Sequence, residues 1–278
     1  SSTTYTTSGT SQAAAQTFTN IALPSACDNQ AVVQIRWIYW EVSGTGSRDA
    51  IRLDDITVSS SSAAPTINGT IAAGEYGTHT NGSNQQSTAT GGTWYMSSDA
   101  TNLYIGISGT NTNEGAVLYL DKNPISPVNG GTNADGSLVG YNYDGSSFAN
   151  LQFRADLVVY FKDGYREYRT ANGSGGWSTQ TTTGMTYSST FQTREIAIPW
   201  SAIGGQPAAY NWFGYVAYTG GGAYASVPTE NPGSGAGLVI GTSARWSRYY
   251  TVSTSSTLPF SRNSYTFTDA SSATNFGS

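Results

Sequence analysis

The chain has 278 residues, of which 10% are charged and 13% aromatic, with a formal net charge of −5. Its 12 basic residues are too thinly spread to neutralise a phosphate backbone, which excludes nucleic acid as a partner. The aromatic content excludes a disordered chain, and no run has the apolar length of a membrane-spanning helix.

Cys27 and His79 are the only residues of their kinds. An intrachain disulfide, a cysteine metal cluster and most zinc sites are therefore excluded. Solubility rests on Ser, Thr, Asn and Gly instead of charge, a composition that reads as extracellular or cell-surface. The chain opens Ser1-Ser2-Thr3-Thr4 with no initiator Met or signal peptide, as expected of a processed piece of something longer.

Apolar residues recur with period two throughout, and Gly, Asn and Ser clusters separate the runs. In chain order, strands are expected at 32–40 (V-V-Q-I-R-W-I-Y-W), 51–58, 103–107, 116–120, 157–161, 165–169, 195–198 and 213–218. Residues 200–203 read as one helical turn after Pro199, and no long helix is expected. The fold class is all-β, with two β-sandwich units of jelly-roll type, the N-terminal one incomplete. Residues 1–60 form a partial jelly-roll sheet, 61–65 a linker within S-S-S-S-A-A-P, 66–252 a full β-sandwich, and 253–278 a Ser/Thr-rich segment with one strand at 264–268. Asn68-Gly-Thr, Asn81-Gly-Ser and Asn172-Gly-Ser are glycosylation sequons, but Asn-Gly is first of all a tight-turn dipeptide.

Several phrases in residues 65–252 carry a family resemblance. They are Thr66-Ile67-Asn68-Gly69-Thr70-Ile71 with Gly74-Glu75-Tyr76, Asp99-Ala100-Thr101-Asn102-Leu103-Tyr104-Ile105, Val117-Leu118-Tyr119-Leu120-Asp121, and Glu195-Ile196-Ala197-Ile198-Pro199-Trp200-Ser201-Ala202-Ile203-Gly204. In this order they resemble the landmarks of the family 9 carbohydrate-binding module and its DOMON-like β-sandwich relatives. The resemblance implies a sandwich fold and, for carbohydrate-binding members, a sugar clamped between exposed rings; no ring pair here matches by motif, and Asn68 stands where an Asp is usual. Residues 16–60, through Phe18-Thr19-Asn20-Ile21, Val33-Gln34-Ile35-Arg36-Trp37 and Arg52-Leu53-Asp54-Asp55-Ile56-Thr57-Val58, resemble the C-terminal part of a jelly-roll module of large secreted bacterial surface proteins.

No catalytic phrase accompanies these elements. His79 lies in a turn-rich loop with no nucleophile elbow. Glu75, Asp99, Glu114, Glu195 and Glu230 are scattered carboxylates, and Glu75 and Asp99 read as turn residues that bond local amides. The chain is therefore read as a non-enzyme. For an ion, Asp121, Asn123, Asn133 and Asp135 make an oxygen-rich insertion suited to calcium, with a plain polar loop as the alternative because EF-hand spacing is absent. For a glycan, Trp94, Tyr95, Trp177 and Trp246 sit in Gly- or Ser-flanked stretches where rings can be exposed, against a core role for each. Trp37, Trp40, Trp200 and Trp212 read as core.

Two functions of different classes follow. In the first, the chain is a structural or adhesive subunit that assembles with copies of itself into a fibre or surface layer. A strand around Thr3 and Tyr5, or around Tyr265 and Phe267, would complete the unfinished first sheet of a neighbour. In the second, it is a carbohydrate-binding module of a larger secreted glycan-active or adhesin protein, with polysaccharide as its partner. The first is the leading expectation.

Overall fold

In the computed structural model, the described residues are 23, 27, 32–37, 56, 64–77, 79–81, 84–145, 151–218, 222–229, 231, 248–253 and 268–271. The chain divides into two compact units, Ser1–Thr57 and Val58–Ser278. In the first, residues 32–37 form no strand, and Val32, Val33, Ile35 and Trp37 are exposed. This corrects the expected strand over its described residues, 32–37, and the core placement of Trp37. Alternation marks a segment that can pair, but a strand exists only where a second one supplies the ladder. Trp40 lies outside the described residues.

The second unit is all-β. Its strands are β1 (Thr80–Asn81), β2 (Asn84–Ser87), β3 (Thr93–Ser98), β4 (Asn102–Ser108), β5 (Gly115–Asp121), β6 (Leu157–Lys162), β7 (Tyr165–Thr170), β8 (Thr186–Thr190), β9 (Thr193–Pro199), β10 (Ala209–Ala217), β11 (Ala223–Val227), β12 (Arg248–Ser253) and β13 (Thr268–Ser271). They make a six-stranded sheet, β1-β2-β3-β4-β9-β8, and a seven-stranded sheet, β13-β12-β10-β5-β6-β7, with β11 also on β10. Every pairing is antiparallel except β1 with β2. The helical turn expected after Pro199 is a 3-10 turn, Trp200–Ile203. A C-terminal strand is described at Thr268–Ser271, with residues 264–267 of the expected one outside the described residues, and its pairing with β12 carries the sandwich past residue 252.

The two sheets pack face to face. Trp94, Met96, Ile105 and Ile196 from the first meet Leu118, Val159, Phe161 and Trp212 from the second in one buried cluster. The second sheet is buried on its outer face as well. There Val117, Tyr119, Val158, Tyr160, Phe213 and Tyr215 pack under Val128, Tyr143, Leu151 and Phe153, which belong to the long connection between β5 and β6. Burial on both faces explains why β5 and β6 read as nearly continuous apolar runs, whereas a one-sided sheet would alternate.

The phrases that carry the family resemblance are joined across the fold. Glu195 is buried, and its Oε2 accepts the backbone N–H groups of Asn68 (3.2 Å), Gly69 (2.8 Å) and Thr70 (3.1 Å). Its Oε1 accepts the Tyr76 hydroxyl at 3.0 Å. Gly69 has φ +85°, and a Cβ there would lie 2.9 Å from the Ser189 backbone, so the loop requires glycine. Asp99 takes the N–H groups of Thr101 and Asn102 and the Tyr104 hydroxyl, while its carbonyl receives Trp200 Nε1 at 2.8 Å. Glu75 bonds the N–H groups of Thr66 and Ala72, as a turn carboxylate should. Asn68 and Asn172 each accept backbone N–H groups two residues on, which is the turn chemistry expected of Asn-Gly.

Glu195→Ala would strand three donors, Thr70 N–H keeping Asn68 Oδ1, so it should lower unfolding free energy by about 2–4 kcal/mol, and Tyr76→Phe by about 1 kcal/mol. Urea denaturation of the two variants checks both the size and the order.

Candidate functional site

Period-two alternation sends every second side chain of β6 and β7 to the outer face of the second sheet. Tyr160 and Lys162 project there from β6, and Tyr165, Glu167 and Arg169 from β7. The ladder sets Tyr160 opposite Glu167 and Lys162 opposite Tyr165. Tyr141, Asn142, Tyr143 and Asp144, at the rim of the β5–β6 connection, close over this stripe. Together they line a cleft of about 340 Å³.

The cleft is held by a hydrogen-bonded network. Glu167 accepts the Tyr143 hydroxyl at 2.7 Å, Arg169 Nε at 2.8 Å, and the Tyr165 hydroxyl. Asp144 accepts the Tyr160 hydroxyl at 2.7 Å and Lys162 Nζ at 3.3 Å. Asp144 has φ +52° and is followed by Gly145 at +79°, a left-handed pair that turns the chain and aims the carboxylate inward. The rings of Tyr143 and Tyr160 stack 4.3 Å apart at 6°. Arg169 lies 3.9 Å from the centroid of Tyr141, and its other nitrogens reach Ser178 O and Gln180 Oε1.

Burial first, then the neighbouring carboxylates, push the Tyr143 and Tyr160 phenols far above their ordinary range. The bond to Glu167, with burial, pushes Tyr165 up to about 12. All three hydroxyls therefore remain protonated donors at neutral pH. Two carboxylates face two cations, so the cleft carries no net formal charge. Tyr165 keeps 42% of its surface exposed, Tyr141 is half-buried, and the Asn142 side chain faces solvent.

The residues expected to bind glycan fall elsewhere. Trp94 is fully buried between the sheets, where its Nε1 donates to Ala225 O at 2.8 Å, so it is a core residue and no platform. Its glycine-flanked position marked a strand entry, and the inward face of β3 decides its fate. Tyr95 points the other way, half-buried on the outer face of the first sheet, 5.0 Å from the His79 ring and 5.7 Å from Tyr76. Trp177 is half-buried, donates to Val139 O at 2.8 Å and packs 5.8 Å from Tyr119, pinning the cover of the second sheet. Trp246, Thr3, Tyr5, Tyr265 and Phe267 lie outside the described residues.

Each of the four expected calcium ligands bonds other protein groups. Asp135 accepts the Thr132 N–H and hydroxyl in a capping box, and Asn133 accepts Arg154 Nη1 at 3.3 Å. Asp121 is buried, taking the N–H of Asn123 at 3.1 Å and the Asn211 amide at 3.1 Å. With its amide turned to donate, Asn123 bridges Asp156 at 2.9 Å and Asp121 at 3.2 Å. Protein donors thus engage the oxygens of Asp121, Asn133 and Asp135, and no group of three or more His, Cys, Asp or Glu is placed to hold a metal among the described residues. His79 is half-buried with the N–H groups of Gly74 and Tyr76 directed at its ring nitrogens, and burial lowers its pKa.

The tyrosine cleft was missed because its residues come from two separate segments. The signal available was the alternation of Tyr165, Glu167 and Arg169, a polar-aromatic stripe facing away from the core. No family model, curated protein or solved structure matches the chain. The resemblance noted above rests on its own residues.

Burial pushes the Asp121 carboxyl up to about 7, the Asn123 N–H opposes the shift, and nearby Asp156 adds to it. The folded state thus holds a proton that the unfolded chain releases near its ordinary carboxylate pKa of about 4. Stability from this group is full below about pH 4 and is lost as pH rises to about 7. Melting temperatures from pH 4 to 8 should fall less steeply in Asp121→Asn than in the wild type.

Proposed function

We propose that the second unit is a non-catalytic, extracellular glycan-binding module and that the Tyr141–Tyr165 cleft is its binding site. The observation that carries this reading is a concave, ring-lined cleft whose charged groups are already paired with one another. Sugar C–H faces pack on aromatic rings while hydroxyls meet a few fixed polar groups. Tyr141 and Tyr165 offer the rings, Asn142 an exposed amide, and Lys162 a half-buried ammonium held by Asp144.

The same pairing argues for binding over hydrolysis. A glycosidase needs one carboxyl free to protonate and one free to attack or to activate water. Here Glu167 is saturated by Arg169 and two tyrosines, and Asp144 by Tyr160 and Lys162. Expression on a cell surface or in a secreted protein fits the sparse charge and the hydroxyl-rich exterior.

Assembly by completion of an unfinished first sheet has less support from the described residues. One expected donor region, near the C-terminus, supplies Thr268–Ser271 to the chain's own sheet beside β12. The edge of β8, uncovered among the described residues, favours self-association by another route.

A glycan array followed by affinity electrophoresis tests the reading. Wild-type chain should be retarded by at least one polysaccharide, and Tyr141→Ala and Tyr165→Ala should each weaken binding by about tenfold or more, as expected for a ring at the centre of a contact. Unchanged binding in both variants, or no retention by any glycan, would remove the cleft from this role.

A further inference from the structure

The two sheets treat their edges differently on the side where β7 and β8 lie. The outer edge of β7 is covered by its own chain, through bridges Tyr168↔Thr181 and Ala171↔Trp177. The outer edge of β8 has no such cover among the described residues. Strand β8 reads T-Y-S-S-T, with no Lys or Pro and no charge to repel another strand.

Parity fixes which groups face outward. Thr190 and Thr193 close the two-residue turn between β8 and β9 as a paired set. Ser188 and Thr186 therefore bond to β9, and the N–H and C=O groups of Tyr187 and Ser189 point away from the sheet. The Tyr187 side chain packs on the inter-sheet core, so that of Ser188 lies on the outer face.

We propose that β8 pairs antiparallel with β8 of a second copy about a two-fold axis at Ser188, joining the two six-stranded sheets into one. The register is self-consistent. Ser188 meets the partner's Ser188 as a non-bonded pair, and Tyr187 meets the partner's Ser189, so the outward groups of both strands bond each other.

Two further features agree with this register. Arg166 lies 6.0 Å from the Tyr187 ring centroid, and Asp163 accepts the Ser189 hydroxyl at 2.9 Å. Because Tyr187 sits opposite the partner's Ser189, Arg166 comes beside the partner's Asp163, twice. Phe191, at the tip of the β8–β9 turn, is 87% exposed, the most exposed large apolar side chain among the described residues. The same register brings it against the partner's Met185. The contact is isologous and closes, so it yields a dimer and no filament. It is independent of the tyrosine cleft, which lies on the outer face of the other sheet.

Sedimentation velocity on the full chain tests this. Wild-type protein should dimerise in the micromolar range, as suits a small edge contact. Ser188→Lys and Ser188→Glu place like charges directly opposite each other at the axis, about 4.5–5.5 Å apart at Cβ. Each should be at least tenfold weaker in self-association with the circular dichroism spectrum retained; the melt should hold in Ser188→Lys and fall in Ser188→Glu, because Ser188 pairs with the buried Glu195 on β9. Mixed one to one, the two variants should restore the dimer, which a merely structural defect would not do. Phe191→Ser should weaken association as well, and glycan retention should be unaffected in all of them. A wild-type chain that stays monomeric at about 100 μM, or a dimer that persists in Ser188→Lys, would overturn the proposal.

Discussion

The second sheet is buried on both faces, and most of what is distinctive in this fold follows from that constraint. One face meets the first sheet, as in any sandwich. The other presents Val117, Tyr119, Val158, Tyr160 and Phe213, too much apolar surface to leave in water. The chain answers with a connection of more than thirty residues between β5 and β6, far longer than a hairpin needs. That connection is a second core in its own right. Its rim, where the cover gives out above β6 and β7, is where a cleft forms.

Charge is scarce in this chain, and much of it is spent inside. Arg194 is fully buried and holds Thr110 Oγ1 at 2.9 Å and the carbonyls of Thr112 and Glu114, and burial lowers its pKa to about 10. Arg154 gathers the carbonyls of Gly130, Gly131 and Gly136 in the cover. Glu195 does the opposite for a cluster of amides. These ionic groups serve as pegs for irregular backbone that no ladder satisfies. A chain built this way keeps its loops in place without disulfides, and its exterior is left to hydroxyls and amides.

Much of the second unit was legible in the sequence. β4, β5, β6, β7 and β9 were readable because their apolar runs end at Gly, Asn or Pro, and the helical turn because Pro199 precedes Trp200. The shorter strands β2 and β8 were not, since N-Q-Q-S and T-Y-S-S-T carry almost no apolar signal and exist because neighbours supply the ladder. Trp94 shows the limit for single residues. Glycine neighbours suggested exposure, yet the face of the strand decided burial. The cleft was hidden for a different reason: Tyr141 and Tyr143 are twenty or so residues from β7, and only the cover brings them together.

The rivet that fastens this cover has its own consequence. The Tyr119 hydroxyl donates to Tyr141 O at 3.2 Å and accepts from Tyr141 N–H at 2.8 Å. One phenol thus holds both backbone groups of a single residue at the mouth of the cleft. Releasing Tyr141 breaks both bonds together and also unseats its contact with Arg169, so partial detachment has no favourable halfway state. The cover therefore behaves as one cooperative unit, whose amides exchange with solvent in a single opening event. A molecule lodged against Tyr141 would slow that event for the whole segment, far beyond the residues it touches.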